Sequence, residues 1–233
     1  LSSSSREFTR PLASLSFAVN YLMTGLDPFW MKLTNLVIHL LNGLLLFALV
    51  RLLLRQAAGV GAADVDERVE RHVGVVAALL TGAWLLLPIN LTGVLYVVQR
   101  MESMANAFVL LGLLGYVIGR RRMLRSRRGL ALCVCSVIGA TALGMLAKET
   151  AVMLPLYAFL IEWLLFGFSK FSTSSRRDWR LAGFFVIVLL LPMVIGVAWL
   201  LPGLLNPAHL APHDFTLETR LLSEARIVAG YNT

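Results

Sequence analysis

Long apolar runs alternate with short polar stretches along this chain, and the runs set the expected architecture. Residues 1–10 are Ser-rich and polar. From 11 to 24 the pattern becomes two-sided: Leu12, Leu15, Val19 and Leu22 fall on one helical face, and Ser16, Asn20 and Thr24 on another. That spacing predicts an amphipathic helix lying in a membrane interface rather than crossing it. Gly25 to Trp30 (GLDPFW) reads as a turn, with Phe29 and Trp30 suited to the headgroup belt.

A helix needs roughly 20 apolar residues to cross the hydrocarbon layer. Spans are predicted over 34–54, 73–87, 103–119, 130–147, 150–167 and 181–201, with Pro155 kinking the fifth. Between the second and third spans, Pro88-Ile89-Asn90 is followed by an apolar stretch, 91–98, that dips back towards the bilayer. Polar character returns at 202, with a second amphipathic helix near 216–231. The expected fold class is all-α: a polytopic transmembrane helix bundle of about six spans with interfacial helices. Its parts are an outer loop with an interfacial helix (1–33), the bundle (34–201) and the start of another outer loop (202–233). No internal repeat is visible. The chain opens on Leu1 rather than Met and closes on Tyr231-Asn232-Thr233 inside an amphipathic pattern, so a fragment of a longer protein is expected.

Composition agrees with the pattern. Hydrophobic residues make up 58% and charged residues 15%, against about 25% charged in soluble domains, and the mean hydropathy is +0.77. A net charge of +8 would point to nucleic acid in a soluble protein. Here the arginines sit between apolar runs, which excludes nucleic acid as a partner and leaves the lipid bilayer. Arg120, Arg121, Arg122, Arg125, Arg127 and Arg128 fall in loop 120–128. Lys170, Arg176, Arg177 and Arg180 fall in loop 168–180, and Arg51, Arg55, Arg68 and Arg71 in loop 51–72. These are fourteen of the 21 Lys and Arg residues. With six spans all three loops share one side, and the excess of positive charge assigns it to the cytoplasm.

Motifs of soluble enzymes are missing: no Gly-rich phosphate loop, no Ser-His-Asp arrangement and no HExxH. Cys133 and Cys135 lie two apart in an apolar run, where they do not face each other on a helix, and read as small buried residues. His209 and His213 have Pro212 between them and no third ligand, so no metal site is assigned.

Polar groups inside apolar runs carry the candidate chemistry, because they face a bundle interior or a cavity. Lys32, Asn35, His39 and Asn42 share one face of the first span, a stripe about 15 Å long at 1.5 Å per residue. It fits either helix–helix hydrogen bonding or a cavity wall. Gln99, Ser103 and Asn106 share a face where the chain re-enters the membrane, with Glu102 flanking and Arg100 projecting elsewhere. An Arg–Glu pair to another helix and an anion site for a phosphate both fit. Lys148-Glu149-Thr150 forms a tight outer link. Adjacent residues diverge by about 100° on a helix, so Lys148 and Glu149 are expected to take different partners, unless the link is only a polar surface turn. Glu162, near the inner end of the fifth span, is expected to pair with Arg176 or Arg177. His72 reads as solvated.

In order, the chain contains RPLASLSFAVNY, GLDPFWMKLTNLVIHLLNGLL, LLPINLTGVLYVVQRMES, LGMLAKETAVMLP and FTLETRLLSEARIV. This series resembles bacterial membrane glycosyltransferases of the GT-C superfamily, of the type fused to tetratricopeptide repeats and related to animal transmembrane O-mannosyltransferases. The resemblance covers nearly the whole chain, and VVQRMES and AKETAV are its most specific parts. It implies an enzyme of the bacterial inner membrane with its active side extracytoplasmic. Such an enzyme takes a sugar, as a hexosyltransferase does, from a polyprenyl-phosphate donor to a protein or glycan acceptor. No cofactor is assigned, and a divalent metal is left open.

The family's acidic base lies in the first outer loop, which the pattern places upstream of Leu1, so the fragment alone is expected to be inactive. Relatives carry a histidine before the Pro-Ile/Leu-Asn segment, where this chain has Leu87. The repeats do not occur within these 233 residues. Under the resemblance, Arg100 and Lys148 are expected at the donor phosphate. Glu102 and Glu149 would orient those cations or contact the sugar, and Gln99, Asn20, Asn35 and His39 would line the substrate cavity. The competing class is a non-enzymatic membrane anchor or assembly platform for a repeat domain. A transporter would need paired inverted repeats, which are not found.

Overall fold

The structure, a computed structural model, describes residues 10–59, 66–125, 129–171 and 174–205. They fall in two compact units, Leu1–Phe185 and Val186–Thr233. The helices are α1 (Pro11–Thr24), α2 (Pro28–Ala57), α3 (Glu67–Leu86), α4 (Pro88–Leu95), α5 (Arg100–Arg125), α6 (Leu130–Met145), α7 (Leu154–Ile161) and α8 (Trp179–Leu205). A short antiparallel pair, β1 (Ser169–Phe171) and β2 (Ser174–Arg177), interrupts the helical pattern.

Local chemistry fixes the helix starts. Asp27 accepts from the Phe29 amide at 2.9 Å, and Pro28 occupies the first turn, where a missing N–H costs nothing. Asp66 caps α3 through the Arg68 amide in the same way. By length and composition, Pro28–Ala57, Glu67–Leu86, Val97–Leu124 and Glu149–Phe166 are able to cross a membrane, and Leu130–Met145 and Trp179–Ile195 are shorter apolar helices. The chain is a multi-pass membrane protein. Its outward surface agrees: Leu86 is 84% exposed and Leu79 67%, an apolar exterior that water would not tolerate. In the second unit, described from 186 to 205, Val186, Ile187, Leu190 and Leu191 are exposed.

The centre of the first unit is α5 against α6, with α2 packed on α3 and α5. Small residues bring α5 and α6 together. A Cβ added at Gly115 would collide with the Ser136 side chain; one at Gly119 would lie 2.7 Å from Cys133 Sγ and 3.0 Å from the Cys133 backbone nitrogen. Membrane helices without a hydrophobic driving force between them associate through such close packing. Cys133 is fully buried there, as a small packing residue, whereas Cys135 is exposed.

Several boundaries differ from the sequence expectation. Much of the predicted basic loops is helix. Arg51 and Arg55 lie in the last turns of α2, Arg68 and Arg71 in the first turns of α3, and Arg120, Arg121 and Arg122 on α5. Arg51 and Arg55 both pair with Glu70 across α2 and α3. Pro155 does not kink a helix: it occupies the first turn of α7, after a 3₁₀ stretch over Glu149–Met153. The stretch predicted to dip back is α4 and a 3₁₀ turn, Val97–Gln99, leading straight into α5. The helix expected near 216–231, His209, His213, Arg127 and Arg128 lie outside the described residues.

Glu162 pairs with Arg120, while the side chains of Arg176 and Arg177, its expected partners, lie outside the described residues. Its carboxylate receives Arg120 Nε at 2.6 Å and Nη2 at 2.7 Å, together with the Tyr116 hydroxyl at 2.6 Å. All three side chains are fully enclosed. The Phe168 amide adds a bond to Glu162 at 3.1 Å, and Arg120 also reaches the Ser169 carbonyl at 3.1 Å. Glu162 sits in a π-helical turn, Glu162–Phe166, which ends at Gly167 with φ +57°. The wider turn carries the carboxylate towards α5.

Candidate functional site

Where α5 begins, successive side chains diverge to opposite sides. Arg100 turns inward to α1 and α2. Its Nε donates to Asn35 Oδ1 (2.8 Å), and Nη2 donates to Asn20 Oδ1 (2.9 Å) and the Met31 carbonyl (3.0 Å). Nη1 reaches the Ser16 carbonyl (3.3 Å), and the guanidinium lies 4.6 Å over the Phe17 ring. Arg100 is fully buried. The polar positions of α1 thus face inward to a cation, while Leu15, Val19 and Leu22 are exposed. Asn35 also donates to the Val94 and Tyr96 carbonyls at 3.3 Å, satisfying backbone where α4 ends.

Gln99, Glu102, Ser103 and Asn106 take the other side and line a cavity of about 460 Å³. The opposite walls are His39 and Asn42 from α2, Trp84 from α3, Asn90 and Thr92 from α4, and Lys148. This volume lies within the usual range for small-molecule sites, about 300–1,000 Å³. Polar bonds hold the walls. His39 Nε2 donates to the Leu85 carbonyl (3.2 Å), and its ring stacks on Trp84 with centroids 5.4 Å apart. Asn42 donates to the Ser103 carbonyl at 2.9 Å and Asn90 to the Trp84 carbonyl at 2.5 Å.

Lys148 and Glu149 point to different elements. Lys148 forms an ion pair with Glu102 at the start of α5, the two side chains 29% and 42% exposed. Glu149 accepts both its bonds from Arg10 Nη2, at 2.8 and 2.9 Å, just before α1. The Leu12 amide donates to the Leu146 carbonyl at 3.1 Å. The link after α6 therefore clamps α1 on one side and α5 on the other.

Of the residues singled out in the sequence, Lys148, Glu102, Gln99 and His39 come together around the cavity. Arg100, Asn20 and Asn35 meet one another beside it. Glu149 joins Arg10. Trp84, Asn90 and Thr92 carried no role in the sequence reading; their signal is the break at Pro88, which folds α4 back onto the end of α3. Leu87 is exposed and precedes that break. Among the described residues Lys148 is the single cation lining the cavity. Amides, hydroxyls, an indole and one carboxylate complete a surface suited to a polyol bearing one negative charge. Among the described residues no three His, Cys, Asp or Glu side chains are grouped to hold a metal ion.

The protein O-mannosyl-transferase Tmtc3 of Drosophila melanogaster is 34% identical over 149 residues, 61% of this chain. The chain spans only 16% of that protein's length. No family model matches the chain, and no solved structure does so.

Proposed function

We propose that this chain belongs to a membrane glycosyltransferase that moves a sugar from a polyprenyl-phosphate donor to a protein or glycan acceptor outside the cytoplasm. The observation that carries the reading is the cavity: one ion-paired lysine beside a carboxylate, side-chain amides and an indole, in a chain that resembles a protein O-mannosyl-transferase. Glu102 at the cavity and Arg120 lie about 27 Å apart along α5 at 1.5 Å per residue. The cavity and the basic residues are therefore at opposite ends of that helix. With the basic end cytoplasmic, the cavity opens on the outer side.

In the proposed reaction the acceptor hydroxyl attacks the anomeric carbon as the carbon–oxygen bond to phosphate breaks. Negative charge grows on the departing phosphate, and the Lys148 ammonium stands where it meets that charge. A fixed charge facing a developing one is a large catalytic contribution. The acceptor's proton passes to a carboxylate, as the resemblance to membrane glycosyltransferases implies. Arg100 has its bonds satisfied within the protein and acts by fixing α1 and α2 beside the cavity.

The test is transfer from radiolabelled polyprenyl-phosphate sugars in membranes holding the full-length protein. Label should reach an acceptor with the unmodified protein, and Lys148→Ala should slow transfer roughly 100-fold or more. No transfer across a broad donor panel, with the protein folded and inserted, would favour the anchor reading instead.

A further inference from the structure

We infer that Glu102 is a displaceable counter-ion: it occupies Lys148 until an anionic headgroup takes its place, and thereby sets the threshold for donor entry. The inference rests on the function proposed above. Three observations carry it. The Lys148–Glu102 pair lies at the cavity wall with both side chains part-exposed, so an incoming anion has access to the ammonium. Among the described residues no other cation lines the cavity. Arg100 and Arg10 are engaged elsewhere, Arg100 with Asn35, Asn20 and backbone carbonyls inside the protein, and Arg10 with both oxygens of Glu149.

A phosphate arriving at Lys148 therefore meets a carboxylate already there, and two negative groups share one ammonium. Like charges at contact distance repel, and among the described lining residues Glu102 has no second cation to move to. It turns outward to water, or it accepts hydrogen bonds from hydroxyl groups of the same ligand. The second outcome makes the freed carboxylate a selector for a hydroxyl-bearing headgroup over a bare phosphate. Neutralising Glu102 should thus improve anion binding, opposite to the effect expected of a residue that only contacts sugar.

The experiment measures binding to the chain in lipid nanodiscs. The probes are a short-chain polyprenyl monophosphate and the matched neutral polyprenol. Wild type should prefer the phosphate, and Lys148→Gln should erase that preference. Glu102→Gln should bind the phosphate roughly two- to fivefold more tightly, the range available from a part-exposed ion pair, with polyprenol binding unchanged. Glu102→Ala should do the same, and serves if the glutamine variant fails to fold. Equal or weaker phosphate binding by both variants, with normal polyprenol binding, would overturn the counter-ion role and leave the phosphate site standing. No phosphate preference in wild type, or a preference surviving Lys148→Gln, would instead remove the phosphate site and the inference with it.

Discussion

Arg100 Nε donates to Asn35 Oδ1 at 2.8 Å, while the same Asn35 amide donates to the Val94 and Tyr96 carbonyls. One arginine and one asparagine thus join the starts of α5 and α2 to the end of α4, and Asn20 adds α1. Arg100→Ala strands several buried acceptors, each costing about 1–3 kcal/mol. Hydrogen exchange across 11–24 is expected to accelerate strongly while α6 stays protected. Arg100→Lys should not rescue it, since three donors on one nitrogen cannot span the separated acceptors. Unchanged exchange in α1 would refute the tie.

Glu162→Gln is expected to cost about 3–5 kcal/mol, because it leaves the enclosed Arg120 cation without its anion. The double variant Arg120→Met/Glu162→Leu should recover much of the loss. Denaturation in mixed micelles measures both. A double variant no better than the single would show that the bonds to Ser169 and Phe168 matter more than the charge pair.

At Gly119 an added methyl meets the Cys133 sulfur and backbone nitrogen together. Gly119→Ala should therefore destabilise by about 1–3 kcal/mol. Cys133→Ala should restore only part, since the sulfur leaves and the backbone stays. Full rescue would mean that the helices separate more easily than the geometry implies.

The Arg10–Glu149 pair has side chains 31% and 67% exposed. Glu149→Ala is expected to leave the unfolding midpoint within scatter of wild type, since exposed pairs contribute little. A clear drop that vanishes in high salt would show that the pair is screened less than its exposure indicates.

Helices were legible where apolar length is decisive, so the run 34–54 within α2 was found by hydropathy alone. Their ends were not, because Arg51, Arg68 and Arg120 are polar in sequence yet helical in place. Hydropathy stops at the charge, whereas hydrogen bonding continues through it. Helical spacing separated Arg100 from Gln99, Ser103 and Asn106, since that is a local property of one helix. It could not show that Glu162 faces Arg120, because a π-helical turn changes the angular count and the partner lies 42 residues away. The hairpin at 169–177 escaped for a related reason: strands of three and four residues among arginines carry no alternation long enough to see.

The Arg120–Glu162 pair also has an order in time. Arg120 emerges from the ribosome well before Glu162, with α6 and α7 made in between. Until α7 arrives, the guanidinium has no carboxylate and must stay at the lipid–water boundary. A chain stopped after Met145 should accordingly be degraded faster than one extended past Phe171, which pulse-chase labelling would read. In a nascent chain the acid is the late arrival, and until it is made the enclosed pair is incomplete.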